Sequence, residues 1–211
     1  MSVALLIGCG GERANNIVRA CHDNFDKVVN IGASPIDQNQ FPKATNYVID
    51  WDRFNLNNLN NICKNMDDIG FIFFNQKGSA LSPDNFTKKV DHFELLKLVK
   101  SWSDSHWTSS QLPFVLIKSL ESKFTSDIKI GWMLSQYIDH KEKDVERYPD
   151  YSGNKFTNYV IMKAFSKKYN CFGIDPNFGS DTLNSVINDI CLGKIICKGQ
   201  VIDIFTIDES K

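Results

Sequence analysis

Ile69-Gly70-Phe71-Ile72-Phe73-Phe74 is an unbroken apolar run that stops at Asn75-Gln76-Lys77-Gly78. A run with no polar alternation cannot leave one face in water. It must be covered on both sides, as the central strands of a parallel sheet are when helices lie on both faces. Shorter runs of the same kind recur. Val3–Ile7 stops at Gly8-Cys9-Gly10-Gly11, and residues 27–31 stop at Gly32-Ala33-Ser34-Pro35. Residues 47–49 stop at Asp50-Trp51-Asp52, 128–134 at Ser135, and 171–174 at Asp175-Pro176-Asn177-Phe178-Gly179; 201–205 form a last run. Between them, helical periodicity appears over residues 14–21, with Ile17, Val18 and Cys21 inward, and over 86–102, 112–123, 151–168 and 182–191. The alternation, without repeat or linker, predicts an α/β fold. The expected architecture is a doubly wound, mostly parallel sheet with helices on both faces, of Rossmann type, in one domain over 1–211.

A chain of 211 residues, 42% hydrophobic and 23% charged, supports one sizeable core. Its net charge of −1 argues against a nucleic-acid surface, which draws affinity from clustered cations. Lys88-Lys89 and Lys167-Lys168 read as solvated helix faces. Cysteines 9, 21, 63, 171, 191 and 197 form no CxxC pair and sit mostly in apolar segments. They are expected as reduced, buried thiols of a cytoplasmic protein. Histidines 22, 92, 106 and 140 lack metal-ligand spacing, so no metal site is expected. The amino terminus is apolar but short and lacks a basic lead, which predicts a buried strand rather than a signal peptide or membrane span.

In a doubly wound sheet, ligands bind beyond the carboxyl ends of the strands. The glycine turn, Asp50, Asn75, Ser135 and the Pro176 loop are expected there. Tyr151 and Lys155 lie four apart at the start of the helix after the fifth strand, a spacing that puts both on one face. A free phenol has a pKa near ~10, and lowering it by ~3 units takes about 4 kcal/mol of differential stabilisation, which a neighbouring cation helps supply. Such a tyrosine suits proton transfer in carbonyl chemistry. The same spacing also fits an ordinary surface pair.

Taken in chain order, these features resemble the short-chain dehydrogenase/reductase family over nearly the whole chain. The family pattern is a glycine turn after strand one, an acid after strand three, Asn-x-x-Gly after strand four, a serine after strand five, YxxxK, and a Pro-Gly loop after strand six. The matching positions here are Gly8, Gly10 and Gly11; Asp50; Asn75 with Gly78; Ser135; Tyr151 with Lys155; and Pro176. The resemblance implies hydride transfer between a nicotinamide cofactor and a small-molecule carbonyl or alcohol. Tyr151 would exchange the proton, Lys155 would lower its pKa and bind the ribose, and Ser135 would hold the substrate oxygen. Asp50 would meet the adenine amine, with Trp51 covering the ring or serving as an edge-of-core tryptophan. Asn75 would pack near the cofactor or close a turn.

The chain departs from the pattern in three places. Glu12 and Ala14 stand where the family turn has glycines, and Ser135 lies sixteen residues before Tyr151, a longer gap than usual that also allows a strand-end structural serine. Ser109 occupies the place of a helix asparagine and is expected to be structural or solvent-facing. Strand two ends in Gly32-Ala33-Ser34 with no acid to accept ribose hydroxyls or repel a 2′-phosphate, which favours NADP over NAD. Ser34 would bond that phosphate; Arg13 pairs with it or is a solvated helix-start residue. The polar segment 140–144 and the short stretch after Pro176 suggest an open cleft for a polar substrate. Surplus apolar residues on the Tyr151 helix (Phe156, Tyr159, Val160, Ile161, Met162, Phe165) suggest a homodimer or homotetramer. Two other classes remain in view. One is a weakly catalytic nucleotide-binding regulator or scaffold of the same fold. The other is an isomerase, epimerase or dehydratase, which is disfavoured because such relatives carry a larger carboxy-terminal substrate domain.

Overall fold

The computed structural model describes residues 2–51, 54–76, 89, 91–134, 149–176 and 181–209. Seven strands form one sheet: β1 Val3–Ile7, β2 Lys27–Gly32, β3 Ala44–Val48, β4 Ile69–Phe74, β5 Phe124–Met133, β6 Asn170–Asp175 and β7 Gln200–Asp203. Every pairing is parallel, and the order is β3-β2-β1-β4-β5-β6-β7. The chain therefore winds outward in both directions from the seam between β1 and β4. In a doubly wound sheet such a seam is where a ligand crevice opens.

Among the described residues the helices are α1 Asn15–Asn24, α2 Leu56–Cys63, α3 His92–His106, α4 Leu112–Leu120, α5 Pro149–Phe165, α6 Asp181–Cys191 and α7 Ile204–Glu209. On one face of the sheet, Ala4, Leu6, Val28, Phe71, Phe73 and Phe172 pack with Ile17 and Val18 of α1 and Leu183 and Ile187 of α6. On the other, Leu5, Ile7, Ile72, Phe74 and Trp132 meet Leu59 of α2, Leu116 and Ile117 of α4 and Met162 of α5. Adjacent residues of β1 thus serve opposite cores, which is why the run carries no polar residue. Among the described residues, no helix is long and apolar enough to cross a membrane.

Some elements differ from expectation. β3 begins at Ala44 rather than at residue 47, and β5 at Phe124 rather than 128. The asparagine-rich stretch forming α2 carries no conspicuous helix signal. It is started by Asn55, whose side chain accepts from the Asn57 and Asn58 N–H groups at 3.0 and 3.2 Å while Asn58 Oδ1 accepts from Asn55 N–H at 3.1 Å. The last strand stops at Asp203 instead of reaching 205. Asp203 accepts from the backbone N–H and hydroxyl of Thr206 and starts α7.

Residues between α3 and α4, where the polar composition suggests a break, form a π-helical turn, Trp107–Gln111, so the two helices run on without a loop. Thr108 donates to the Asp104 carbonyl at 3.0 Å and Ser109 to the Ser105 carbonyl, so these hydroxyls are spent within the helix. Pro113 follows two residues after the turn; its ring crowds the carbonyl four residues back and it has no N–H to offer. The extra residue wound into the turn accommodates that defect.

Candidate active site

Gly8 leaves β1 with φ +77, a left-handed conformation that disfavours a side chain. Its N–H donates to the Ile31 carbonyl at 2.9 Å, and its carbonyl accepts from Asn75 Nδ2 at 3.1 Å. The glycine turn is thereby tied to both neighbouring strands. Gly10 answers a tighter constraint: a Cβ there would lie 1.8 Å from the Ser34 carbonyl oxygen. Gly11 carries no such crowding and leads into a short 3-10 turn, Glu12–Ala14, continuous with α1. Its carbonyl accepts from Ala14 N–H at 2.9 Å.

The loop after β2 is fixed by an amide that no sequence pattern marks. Asn30, fully buried within β2, accepts the Cys9 N–H at 3.3 Å and donates to the Ser34 carbonyl at 3.0 Å and to Asn46 Oδ1 at 3.2 Å. Asn46 in turn exchanges two bonds with the backbone of Ile36. Turn and loop are held against each other by groups whose hydrogen-bonding capacity is largely used.

These segments enclose a cavity of about 530 Å³ at the carboxyl end of the sheet, above the β1/β4 seam. Gly8, Gly10, Gly11, Arg13, Ser34, Trp51 and Asn75 line it together, seven of the residues expected from sequence. Glu12, Ala14, Ala33, Gln76 and Thr108 complete the wall. Glu12 brings a carboxylate into the same wall as Arg13. Trp51 is partly buried against the core and meets Phe54 edge-on at 5.5 Å, so it is both an edge-of-core residue and part of the wall. Asp50 is exposed and lines an adjoining groove with Tyr47, Phe54 and Asn58 instead of the cavity itself. Pro176 is half-buried at the end of β6 and is not among the cavity-lining residues. Gly78, Ser135 and the segment 140–144 lie outside the described residues.

Lys155 is 3% exposed, and its ammonium donates to the Met133 carbonyl at 2.6 Å and the Gln76 carbonyl at 3.4 Å. It therefore closes the gap between the ends of β4 and β5, one residue from the cavity wall. Its Nζ lies 5.4 Å from the centre of the Tyr151 ring, as their spacing on α5 requires. Removal from water, with no carboxylate partner among the described residues, lowers the Lys155 pKa from 10.5 to about 8. Gln76 contributes a second unusual group: it is buried, lines the cavity, and its Nε2 has no partner among the described residues. A buried amide donor left without a partner calls for an acceptor, which a ligand can supply. Ser109 is buried rather than solvent-facing, and its hydroxyl is directed at Ser105, away from any role in the cavity.

The arrangement offers backbone approach at Gly10, helical N–H groups after Gly11, one basic side chain, and a lysine and tyrosine at the far edge. Among the described residues no cluster of His, Cys, Asp or Glu is arranged to hold a metal. Sequence reasoning missed Gln76, Asn30 and Thr108 because their roles depend on partners distant in the chain; only the strand-end position of Gln76 offered a clue.

Comparison with solved structures bears on the fold. A 3-oxoacyl-[acyl-carrier protein] reductase from Brucella melitensis superposes with a TM-score of 0.74 at 11% identity, covering 96% of this chain and 94% of that one. The fold is that of the short-chain dehydrogenases and reductases. A carbonyl reductase from Pseudomonas aeruginosa PAO1 in complex with NADP matches with a TM-score of 0.70 at 10% identity, over 97% and 96% of the two chains. A short chain dehydrogenase family protein from Francisella tularensis subsp. tularensis SCHU S4 matches at 0.67 and 15% identity over 97% of each. No family model and no curated protein matches the chain by sequence. The short-chain dehydrogenase fold is thus retained here with little of the sequence seen in those structures.

Proposed function

We propose that the protein is an NADP(H)-dependent oxidoreductase that interconverts a carbonyl and an alcohol on a small molecule. The observation that carries this reading is the placement of Lys155. A buried cation is drawn to the β4 and β5 ends beside the glycine-turn cavity, with Tyr151 on the same helical face. A lysine buried without a countercharge costs stability, and a merely structural role would be filled more cheaply by an apolar side chain.

The nicotinamide supplies the hydride when bound. Gly8, Gly10, Gly11, Arg13, Ser34, Trp51, Asn75 and Gln76 are the residues that would hold it, with Gly78 and Pro176 proposed nearby and Asp50 at the adenine end. The fit rests on the unpartnered amide of Gln76 and on the glycine turn that lines the cavity, which Gly10 lets pack directly on the Ser34 backbone. Tyr151 donates its phenolic proton to the carbonyl oxygen in reduction and takes it back in oxidation. Lys155 favours the phenolate form and reaches the ribose, and Ser135 holds the substrate oxygen. NADP is preferred over NAD because Ala33 and Ser34 end strand two without an acid, and Arg13 shares their wall. The NADP complex of the Pseudomonas carbonyl reductase supports the nucleotide class.

A cytoplasmic setting belongs to the proposal, supported by six free cysteines, five of them buried. So does self-association as a homodimer or homotetramer. A second reading, a weakly catalytic nucleotide-binding regulator, is favoured by one observation: the Ser109 hydroxyl is committed to Ser105 and carries no polar group into the site.

Fluorescence titration with NADPH and NADH side by side tests the nucleotide site, and Tyr151→Phe tests the chemistry. The expected result is tighter NADPH binding, with turnover of a carbonyl probe abolished in Tyr151→Phe at nearly unchanged NADPH affinity. NADPH binding without turnover in the wild type favours the regulator. Failure of both nucleotides to bind near a millimolar removes the enzyme reading.

A further inference from the structure

The part of α5 that carries Tyr151 and Lys155 is docked in an unusual way. Of residues 150–161, the buried ones are Asp150, Ser152, Asn154, Lys155 and Asn158, all polar; from Asp150 onward the first fully buried apolar side chain is Met162. Apolar packing therefore fixes the carboxyl half of α5 but not the half that holds the site. Helices normally gain their position from an apolar stripe. Here another device is needed.

That device is visible one residue before Lys155. Asn154 is 3% exposed, and its Oδ1 accepts from Ser110 Oγ at 3.2 Å and from His106 Nδ1 at 2.9 Å. Its Nδ2 donates to Ser105 Oγ at 3.3 Å. Both lone pairs and one N–H of the amide are used, and all three partners come from the end of α3 and the π-turn. An α-helix turns ~100° per residue, which would leave Ser105 and Ser110, five apart, well separated around the axis. The wider winding of Trp107–Gln111 brings positions five apart back over one another, so that both hydroxyls reach a single amide. The same turn presents Thr108 to the cavity.

We propose that Asn154 is the positioning residue of this site: bonded to Ser105, His106 and Ser110, it clamps the polar half of α5 to the π-turn and holds Lys155 between β4 and β5. Without the clamp, that half of the helix keeps no buried apolar anchor among its described side chains, and water reaches the Lys155 ammonium. The catalytic consequence rests on the oxidoreductase reading above, but the clamp itself does not.

The test follows the ionisation of Lys155 by the 13Cε shift of 13C-lysine-labelled protein, with the resonance assigned from Lys155→Met. The wild type should titrate near pH 8, and Asn154→Ala should raise the midpoint by at least one pH unit toward the ordinary lysine value. Ser110→Ala should shift it in the same direction, and Ser110→Thr, which keeps the hydroxyl, should restore it. An unchanged midpoint in Asn154→Ala overturns the proposal; if that variant does not fold, an unchanged midpoint in Ser110→Ala does so. NADPH titration of the same samples separates the two ideas. A shifted midpoint without nucleotide binding keeps the clamp and removes the oxidoreductase reading, and binding with an unshifted midpoint does the reverse.

Discussion

Lys155 is a cation in surroundings that oppose charge. Burial lowers its pKa to about 8, so the ammonium still predominates at pH 7 and is largely lost by pH 9. On the proposed oxidoreductase reading, the charge that would favour ionisation of Tyr151 disappears over the same range. In the oxidative direction, kcat/KM is expected to fall as pH rises through about 8, because this ratio reports ionisations of the free enzyme. Lys155→Arg, whose guanidinium stays charged, should lose that alkaline limb in whatever activity remains. The linkage has a definite sign. Between about pH 8 and 10.5 the unfolded chain holds a proton that the native state does not, so this residue's contribution to stability improves with rising pH. Below about 8 it costs roughly 3 kcal/mol, following from 1.36 kcal/mol per pKa unit.

At the scale of elements, the three strands carrying the middle of the sheet are locked by aromatic rings around a missing side chain. Phe71, Phe73 and Phe172 lie with centroids 6.1 to 6.3 Å apart, and they fill the space over Gly131 of β5. A Cβ at Gly131 would lie 2.5 Å from both Phe172 Cζ and Phe73 Cδ2. The glycine thus serves packing rather than backbone freedom. Gly131→Ala is expected to destabilise the protein by about 1–3 kcal/mol, the usual cost of overpacking, measured by urea unfolding. Adding Phe172→Leu should recover part of that loss by vacating the contested space. The ends of β4 and β5 carry the two carbonyls that hold Lys155, so the packing of these strands also sets the geometry of the site.

For the whole molecule, the exposed apolar surface is uneven. Leu95, Val99 and Trp102, at i, i+4 and i+7, form a stripe on α3 with exposures of 47, 52 and 51%. Phe114 of α4 and Phe156 and Val160 of α5 add to this exposed surface at 50, 41 and 50%. Met162, by contrast, is fully buried, and Tyr159, Ile161 and Phe165 are partly buried against the core, so only part of the surplus read from α5 is exposed. Light scattering after gel filtration is expected to give a dimer or tetramer at micromolar concentration, and Trp102→Lys with Val160→Glu should reduce it to a monomer that still folds. A monomeric wild type refutes self-association through these helices.

Much of this architecture was legible in one dimension because its causes are local. Continuous apolar runs identify strands covered on both faces, glycines mark where backbone must turn or approach closely, and a spacing of four puts Tyr151 and Lys155 on one side of a helix. What stayed hidden depends on partners far away in sequence. The asparagine-rich α2 and the serine-rich π-turn look like loops until Leu59 finds the core and Ser105, His106 and Ser110 find Asn154, more than forty residues on. Likewise Asn30 is a polar interruption in a strand until Cys9, Ser34 and Asn46 surround it, and Asp50 leaves the cavity while Trp51 beside it stays. Propensity and periodicity are set by neighbours along the chain. Desolvation and hydrogen-bond satisfaction are set by neighbours in space, and those are assigned only when the strands take the order 3-2-1-4-5-6-7.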